Sequence, residues 1–273
     1  MPMKMDYQAM VTELSRLVRE TAEQELMPRF VSRYVDQHTK RDGSIVTEAD
    51  GAIQQRIASA LQARWPDIAF VGEEMPPEEQ QRMMQSSVVW CLDPLDGTSN
   101  FASGIPFFAI SLALIENRQQ KLGLIYDPVR RECFTAIKGE GCWLNGEPLS
   151  TADIQTHLTT LQQMIAVVDL KRLRDPILTS LVAEHPFRSQ RNFGSCALEW
   201  CWLAAGRFQL YIHGGQKLWD YAAGTLILQE AGGMSTTVAG EQVFIGTLEP
   251  RPVVAAFNQS AHALWLECIN KSG

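Results

Sequence analysis

The stretch WCLDPLDGTSNF, residues 90–101, restricts this chain more than any other. An apolar run enters it, and another, FFAISLALIE, follows it. Short apolar runs bounded by turn residues read as buried strands. Asp93 and Asp96 therefore arrive at the end of a buried element, on either side of a proline turn. Pro94 fixes its own φ and drives Asp93 toward extended backbone. The turn then lets both carboxylates point the same way, with the Leu95 carbonyl between them. Gly97-Thr98-Ser99 follow, where a short helical turn can begin. Backbone N–H groups at such a start form a ready cradle for phosphate. A plain Asx-rich loop is the alternative reading of these residues.

Further acids extend the pattern. Glu73 and Glu74 follow the apolar run IAFVG, and Asp220 begins a helix beside Trp219. A single acid at a strand end is ordinarily a solvated turn residue. Several converging carboxylates repel one another unless cations lie between them. Hard cations such as Mg²⁺ favour oxygen ligands, and the lack of neighbouring His or Cys partners argues against zinc. The net charge of −7 fits a bound cation or plain solubility, and it argues against a nucleic-acid duplex as main partner. The six cysteines form no CxxC pair, and several sit in apolar runs, so a reduced, cytoplasmic compartment is expected. The start MPMKMDYQAM has no apolar leader core, and the longest apolar stretch, around 105–115, is too short to span a bilayer.

The periodicity predicts an amphipathic helix over 6–27, a polar loop at DQHTKRDGS, and a helix opened by Thr47 and Asp50 as a capping box. Successive strands follow at IAFVGEE, SVVWCLDPLDG, FFAISLALIE, KLGLIYD and ECFTAIK, with a hairpin at Asn145-Gly146. Past residue 150 strands and helices alternate: strands at QMIAVVD, FRSQRN, RFQLYIH and RPVVAAF, helices over 170–184, SCALEWCWLAAG, WDYAAGTLILQEAGG and 259–270. Residues 1–150 thus read as an α+β half with N-terminal helices and a meandering sheet, which holds four of the five acids, and residues 151–273 as an α/β half that holds Asp220.

LDPLDGTSNF resembles the DPxDGTxNF signature of the inositol monophosphatase family of metal-dependent phosphatases. GSIVTEAD, VGEE and LWDYAAGTLILQEAGG resemble three further family segments, in the same order, so the resemblance covers roughly residues 6–270. It implies a layered α/β/α/β/α sandwich with the site at the junction of two sheets. It implies a ligand set of Glu73, Asp93, Asp96, Asp220 and the Leu95 carbonyl for two or three Mg²⁺ ions. It pairs Thr98 with Asp50 to polarise a metal-bound water, and gives the backbone of Gly97 and Thr98 to the phosphate; the role of Glu74 stays open. The implied chemistry is in-line attack of water on a small phosphate monoester, without a covalent intermediate. Each residue keeps a plainer alternative: Asp50 as a helix cap, Thr98 as a turn hydroxyl, Trp219 as packing.

The substrate side departs from the inositol pattern. Gly194 and Ser195, in RNFGSCALEW, resemble a family segment near the substrate ring, though Ser195 equally reads as an N-cap. Inositol-specific members carry an acid near position 213 and a His three residues before the Trp-Asp aspartate; this chain has His213 and Lys217. Lys217 either pairs with a second phosphate or is a solvated lysine. The leading expectation is a phosphatase of a polyol or sugar phosphate such as inositol 1-phosphate. The alternatives are a 3′-phosphoadenosine 5′-phosphate or histidinol-phosphate phosphatase and, from another class, a regulatory binding protein in a transcription complex. The resemblance also implies a lithium-sensitive homodimer.

Overall fold

The computed structural model describes residues 5–32, 37–39, 45–152 and 157–271. Helix α1 (Tyr7–Thr21) is capped by Asp6, whose carboxylate accepts from Ala9 N, and it buries Met10, Leu14 and Val18. One π-helical turn, Ala22–Leu26, carries it into α2 (Met27–Ser32), so the helical run ends five residues beyond the expected 27. The expected polar loop contains β1 (Gln37–Thr39), which pairs antiparallel with β2 (Ile45–Thr47) just beyond the loop; residues 40–44 lie outside the described residues. A two-stranded ribbon satisfies its backbone by pairing, which composition does not signal. Helix α3 (Glu48–Arg64) opens on the capping box of Thr47 and Asp50 and buries Ala49, Ile53, Ile57 and Leu61.

A seven-stranded sheet follows in chain order. It holds β3 (Ala69–Gly72), then β4 (Val88–Asp96) after the crossover helix α4 (Pro77–Met83). After the short helix α5 (Thr98–Ala102) come β5 (Ala109–Glu116), β6 (Gln119–Asp127), β7 (Glu132–Ile137), β8 (Gly141–Leu144) and β9 (Glu147–Leu149). Only β3–β4 is parallel, as a helical crossover requires; the rest is a meander of antiparallel pairs. The last hairpin turns at Asn145-Gly146, both with positive φ.

Strand β5 reads as an unbroken apolar run because both of its faces are covered. Ile110, Leu112 and Leu114 pack under α1 and α3, whereas Ala109, Ala113 and Ile115 belong to the core on the other side.

The second sheet has five strands in the order β11-β10-β12-β14-β13. They are β10 (Ile165–Asp169), β11 (Ser189–Arg191), β12 (Leu210–Gln216), β13 (Met234–Thr236) and β14 (Arg251–Ala256). β10 runs parallel to both its neighbours, and β14 antiparallel to β12 and β13. Helix α6 (Ile177–Glu184) is shorter than the expected 170–184; residues before Pro176 are held out of helix, since a proline disfavours helical backbone in the residue preceding it. Helices α7 (Cys196–Ala204) and α8 (Leu218–Ala231) lie between the two sheets, and α9 (Gln259–Lys271) packs with α6 over the outer face of the second. The result is the layered α/β/α/β/α sandwich. Among the described residues no helix is long and apolar enough to cross a membrane.

Candidate active site

In a regular strand, residues three apart face opposite sides. Val89 and Cys91 of β4 point toward α7 and α8, and Trp90 and Leu92 toward α1 and α3. Strict alternation would place Asp93 on the α8 side and Asp96 on the other. A β-bulge at Pro94-Leu95 corrects this: Asp93 pairs with Ser111 and Asp96 with Ala109, so β4 has one residue more than β5 between the two pairs. Leu95 then faces α1 and α3, and both acids face one cleft. The Asp93 carboxylate accepts from Leu95 N at 3.0 Å, which fixes the turn.

Asp220 enters the same cleft from the first turn of α8, its carboxylate held by Lys217 N at 2.9 Å. One carboxylate oxygen from each of Asp93, Asp96 and Asp220 lies within 4.8 Å of the others. Glu73, just past β3, lines the cleft beside them, and its Oε1 lies 3.5 Å from Lys217 Nζ. Burial, reinforced by the charges of its neighbours, pushes the Asp220 carboxyl up to about 8. Burial likewise raises Asp96 to about 7, against the pull of hydrogen bonds from Ser195 and Ala197 N, and raises Asp93 well above the carboxylate range. Carboxylates this close, those of the buried Asp93 and Asp96 and the half-buried Asp220, favour protonation unless a cation replaces the protons. An all-oxygen donor set with a backbone carbonyl alongside suits a hard divalent ion, so the residues present fit Mg²⁺.

Asp50 stands behind the cleft rather than in its lining. Its Oδ2 accepts from Thr47 N at 2.8 Å and Thr47 Oγ1 at 2.6 Å, and its Oδ1 lies 3.3 Å from Thr98 Oγ1. Burial raises it to about 6. Thr98 lines the cleft, with its hydroxyl also 2.9 Å from the Leu95 carbonyl. Gly97 precedes α5 with φ +90°, and a Cβ there would sit 3.0 Å from Phe107 O, so the turn requires glycine.

Gly194 lines the cleft; Ser195 does not. The Ser195 hydroxyl donates to Asp96 Oδ2, beside Ala197 N at 2.8 Å, and accepts from Leu198 N as the α7 N-cap. Glu74 lies outside the lining, its N–H bonded to Gln54 Oε1 at 3.1 Å. Lys217 is in the cleft, with its ammonium 5.7 Å over the ring of Trp219. His213 is buried in the cleft wall: its Nδ1 accepts from Gly215 N at 3.1 Å, so its Nε2 carries the proton and donates to Asp169 Oδ2 at 3.1 Å.

Sequence reasoning passed over Asp169 and Glu199. Asp169 ends the strand IAVVD as Asp93 ends VVWCL, so the same signal was present. Burial acts to raise it, but the bond from His213 and the charge of Arg172 hold its carboxyl below the usual range. Glu199 sits inside the apolar helix SCALEWCW, a place where an acid needs a partner. Its Oε1 accepts from Phe193 N at 3.0 Å and Gly194 N at 3.1 Å, and burial raises it to about 7.

The sandwich, together with the acids gathered at the junction of its two sheets, marks a phosphate-ester hydrolase. A profile of the inositol monophosphatase family matches residues 6–272, and the chain belongs to that family. Inositol monophosphatase 1 of Solanum lycopersicum is 32% identical over 237 residues, covering 84% of this chain and 83% of that protein. The Nus factor SuhB of Pasteurella multocida (strain Pm70) is 34% identical over 198 residues, covering 71% and 72%. The solved IMPase of Thermotoga maritima superposes with a TM-score of 0.83 at 28% identity, covering 98% of each chain. The protein is thus a phosphatase, a phosphate-ester hydrolase.

Proposed function

We propose that this phosphatase hydrolyses the monoester of a small polyol or sugar, such as inositol 1-phosphate, with Mg²⁺ held by Glu73, Asp93, Asp96, Asp220 and the Leu95 carbonyl. The convergence of Asp93, Asp96 and Asp220 carries this reading. The cleft, about 300 Å³, suits a small molecule and not a macromolecular surface. When bound, Mg²⁺ neutralises the ester's charge, acidifies the attacking water and stabilises the leaving alkoxide. Thr98 has one hydrogen and two acceptors in reach, Asp50 Oδ1 and the Leu95 carbonyl. Its remaining lone pair accepts from a water in the cleft, and Asp50 orients the hydroxyl from behind and accepts its proton. Gly97 and Thr98, at the start of α5, offer backbone N–H groups to the phosphate.

Two or three ions, a homodimer and a cytoplasmic setting accompany this reading. Phosphate release from inositol 1-phosphate, 3′-phosphoadenosine 5′-phosphate and histidinol phosphate, with and without Mg²⁺, tests it. Turnover that needs Mg²⁺ and is lost in Asp93→Asn is expected. The two alternative esters are kept by the departures at His213 and Lys217. A regulatory binding protein is the second reading, favoured by the likeness to a Nus factor. No turnover of any ester, with partner capture intact in Asp93→Asn, would select it.

A further inference from the structure

One wall of the cleft has its own charge pattern apart from the proposed ligand acids. It is built from the turn after β10, the end of β12 and the first turn of α7 with the loop before it. Its two carboxylates are already engaged. Asp169 accepts from His213 Nε2 at 3.1 Å and from Lys171 N at 3.1 Å, with Arg172 Nε at 3.6 Å. Glu199 accepts the N–H groups of Phe193 and Gly194. Part of the acceptor capacity of both is thus used within the protein. The exposed charges on this wall are Lys171 and Arg172, both lining the cleft, in a protein whose net charge is −7. Among the described residues Lys171 makes no salt bridge.

The turn that presents them is fixed. Arg172 N donates to Asp169 O at 3.2 Å, and Leu173 is buried one residue on. The Arg172 carbonyl lies against Gly214, where a Cβ would come within 1.9 Å of that oxygen. Gly214 itself belongs to a second β-bulge, since His213 pairs with Val253 but Gln216 with Arg251. The bulge and the basic turn thus lock together, and the two side chains leave a rigid base at the cleft mouth.

We propose that the alcohol half of the substrate carries a second anionic group, a phosphate or a carboxylate, and that Lys171 and Arg172 hold it. This rests on the phosphatase reading above. The transferred phosphate belongs at the acid cluster with its cations, and the second anion at the basic turn. Two charge-assisted bonds to one anion discriminate strongly against a neutral analogue.

Matched ester pairs test this at saturating Mg²⁺. Glycerol 2-phosphate and 2-phosphoglycerate differ by a carboxylate; inositol 1-phosphate and inositol 1,4-bisphosphate differ by a phosphate. In at least one pair the doubly anionic ester should show a kcat/KM higher by about tenfold or more. That ratio should fall with added salt and drop to near unity in Lys171→Met/Arg172→Met, with a partial drop in Lys171→Met alone. The pair that responds identifies the second group. Ratios within about threefold in both pairs, or a preference that survives in the double variant, overturn the inference and leave the phosphatase reading intact. Turnover of none of the four esters, nor of 3′-phosphoadenosine 5′-phosphate or histidinol phosphate, removes both.

Discussion

Thr98 Oγ1 stands between two acceptors from distant parts of the chain, Asp50 Oδ1 at 3.3 Å and the Leu95 carbonyl at 2.9 Å. The capping box fixes Asp50 at one end of this relay, because Asp50 Oδ2 accepts from both Thr47 N and Thr47 Oγ1. Capping and orienting are thus shared between the two oxygens of one carboxylate. Asp50→Asn keeps an oxygen for the cap but no longer accepts a proton. Its kcat should fall by roughly 10²–10⁴, with KM and Mg²⁺ affinity little changed. A variant with normal kcat and raised KM would show Asp50 to be a cap alone.

The acid cluster sets a pH dependence of stability. Burial pushes Asp96 and Asp220 up to about 7 and about 8 in the folded protein, above the ordinary aspartate value of 3.8. A carboxyl raised on folding adds stability that is fully present below its unfolded pKa and is lost as pH rises through its folded pKa. The metal-free protein should therefore have a lower Tm at pH 8.5 than at pH 6, by several degrees on the order expected for a few kcal/mol. Added Mg²⁺ should restore more at pH 8.5 than at pH 6. Asp220→Asn should raise the metal-free Tm at pH 8.5 and abolish most of the Mg²⁺ response. Differential scanning fluorimetry in chelator and in Mg²⁺ reads all three, and a metal-free Tm that climbs from pH 6 to 8.5 would contradict the cluster.

Asp93 and Asp96 were legible as a pair because the proline turn between them is local, and the capping box at Thr47 and Asp50 is visible for the same reason. The bulge that makes the pair face one way was not, since it shows only in the register against Ser111 and Ala109. Residues whose partners lie far along the chain were the hard ones. Ser195 reads as a cap or a substrate contact from sequence; only the return of α7 onto β4 shows its hydroxyl on Asp96. The succession of strands and helices followed from hydrophobic pattern, whereas the layering rested on the family resemblance; β5, apolar on both faces, fits it as a strand covered on both sides. The ribbon of β1 and β2 escaped, because backbone pairing leaves little trace in polar composition.

Ser195 and Ala197 N both donate to Asp96 Oδ2, and both bonds favour its ionised form. Ser195→Ala removes one of them and the α7 cap as well. Mg²⁺ should bind several-fold more weakly by calorimetry, and the fold should lose about 1 kcal/mol from the cap. Weakened substrate binding with unchanged Mg²⁺ affinity would instead return Ser195 to the role of a substrate contact.

Glu199 acts on the cleft through its loop. Its carboxylate fastens Phe193 N and Gly194 N, while Asn100 Nδ2 donates to Phe193 O at 2.7 Å and to Phe107 O at 2.8 Å. The loop wall is thus held from both sides by buried polar groups. Glu199→Leu leaves two N–H groups without their acceptor, a loss of about 1–3 kcal/mol in stability, and lets Gly194 drift from the cleft. KM should rise more than kcat falls, because the Gly194 loop moves while the ligand acids keep their own hydrogen bonds, and the lost charge beside Asp96 acts mainly on the acidic limb of the pH–rate profile. Glu199→Gln keeps a carbonyl oxygen of the same reach and removes the charge beside Asp96, one of the influences that raise that acid. It should rescue KM to near the wild-type value and shift the acidic limb of the pH–rate profile downward. If Gln fared as badly as Leu, the charge of Glu199 rather than its hydrogen bonds would be what the site requires.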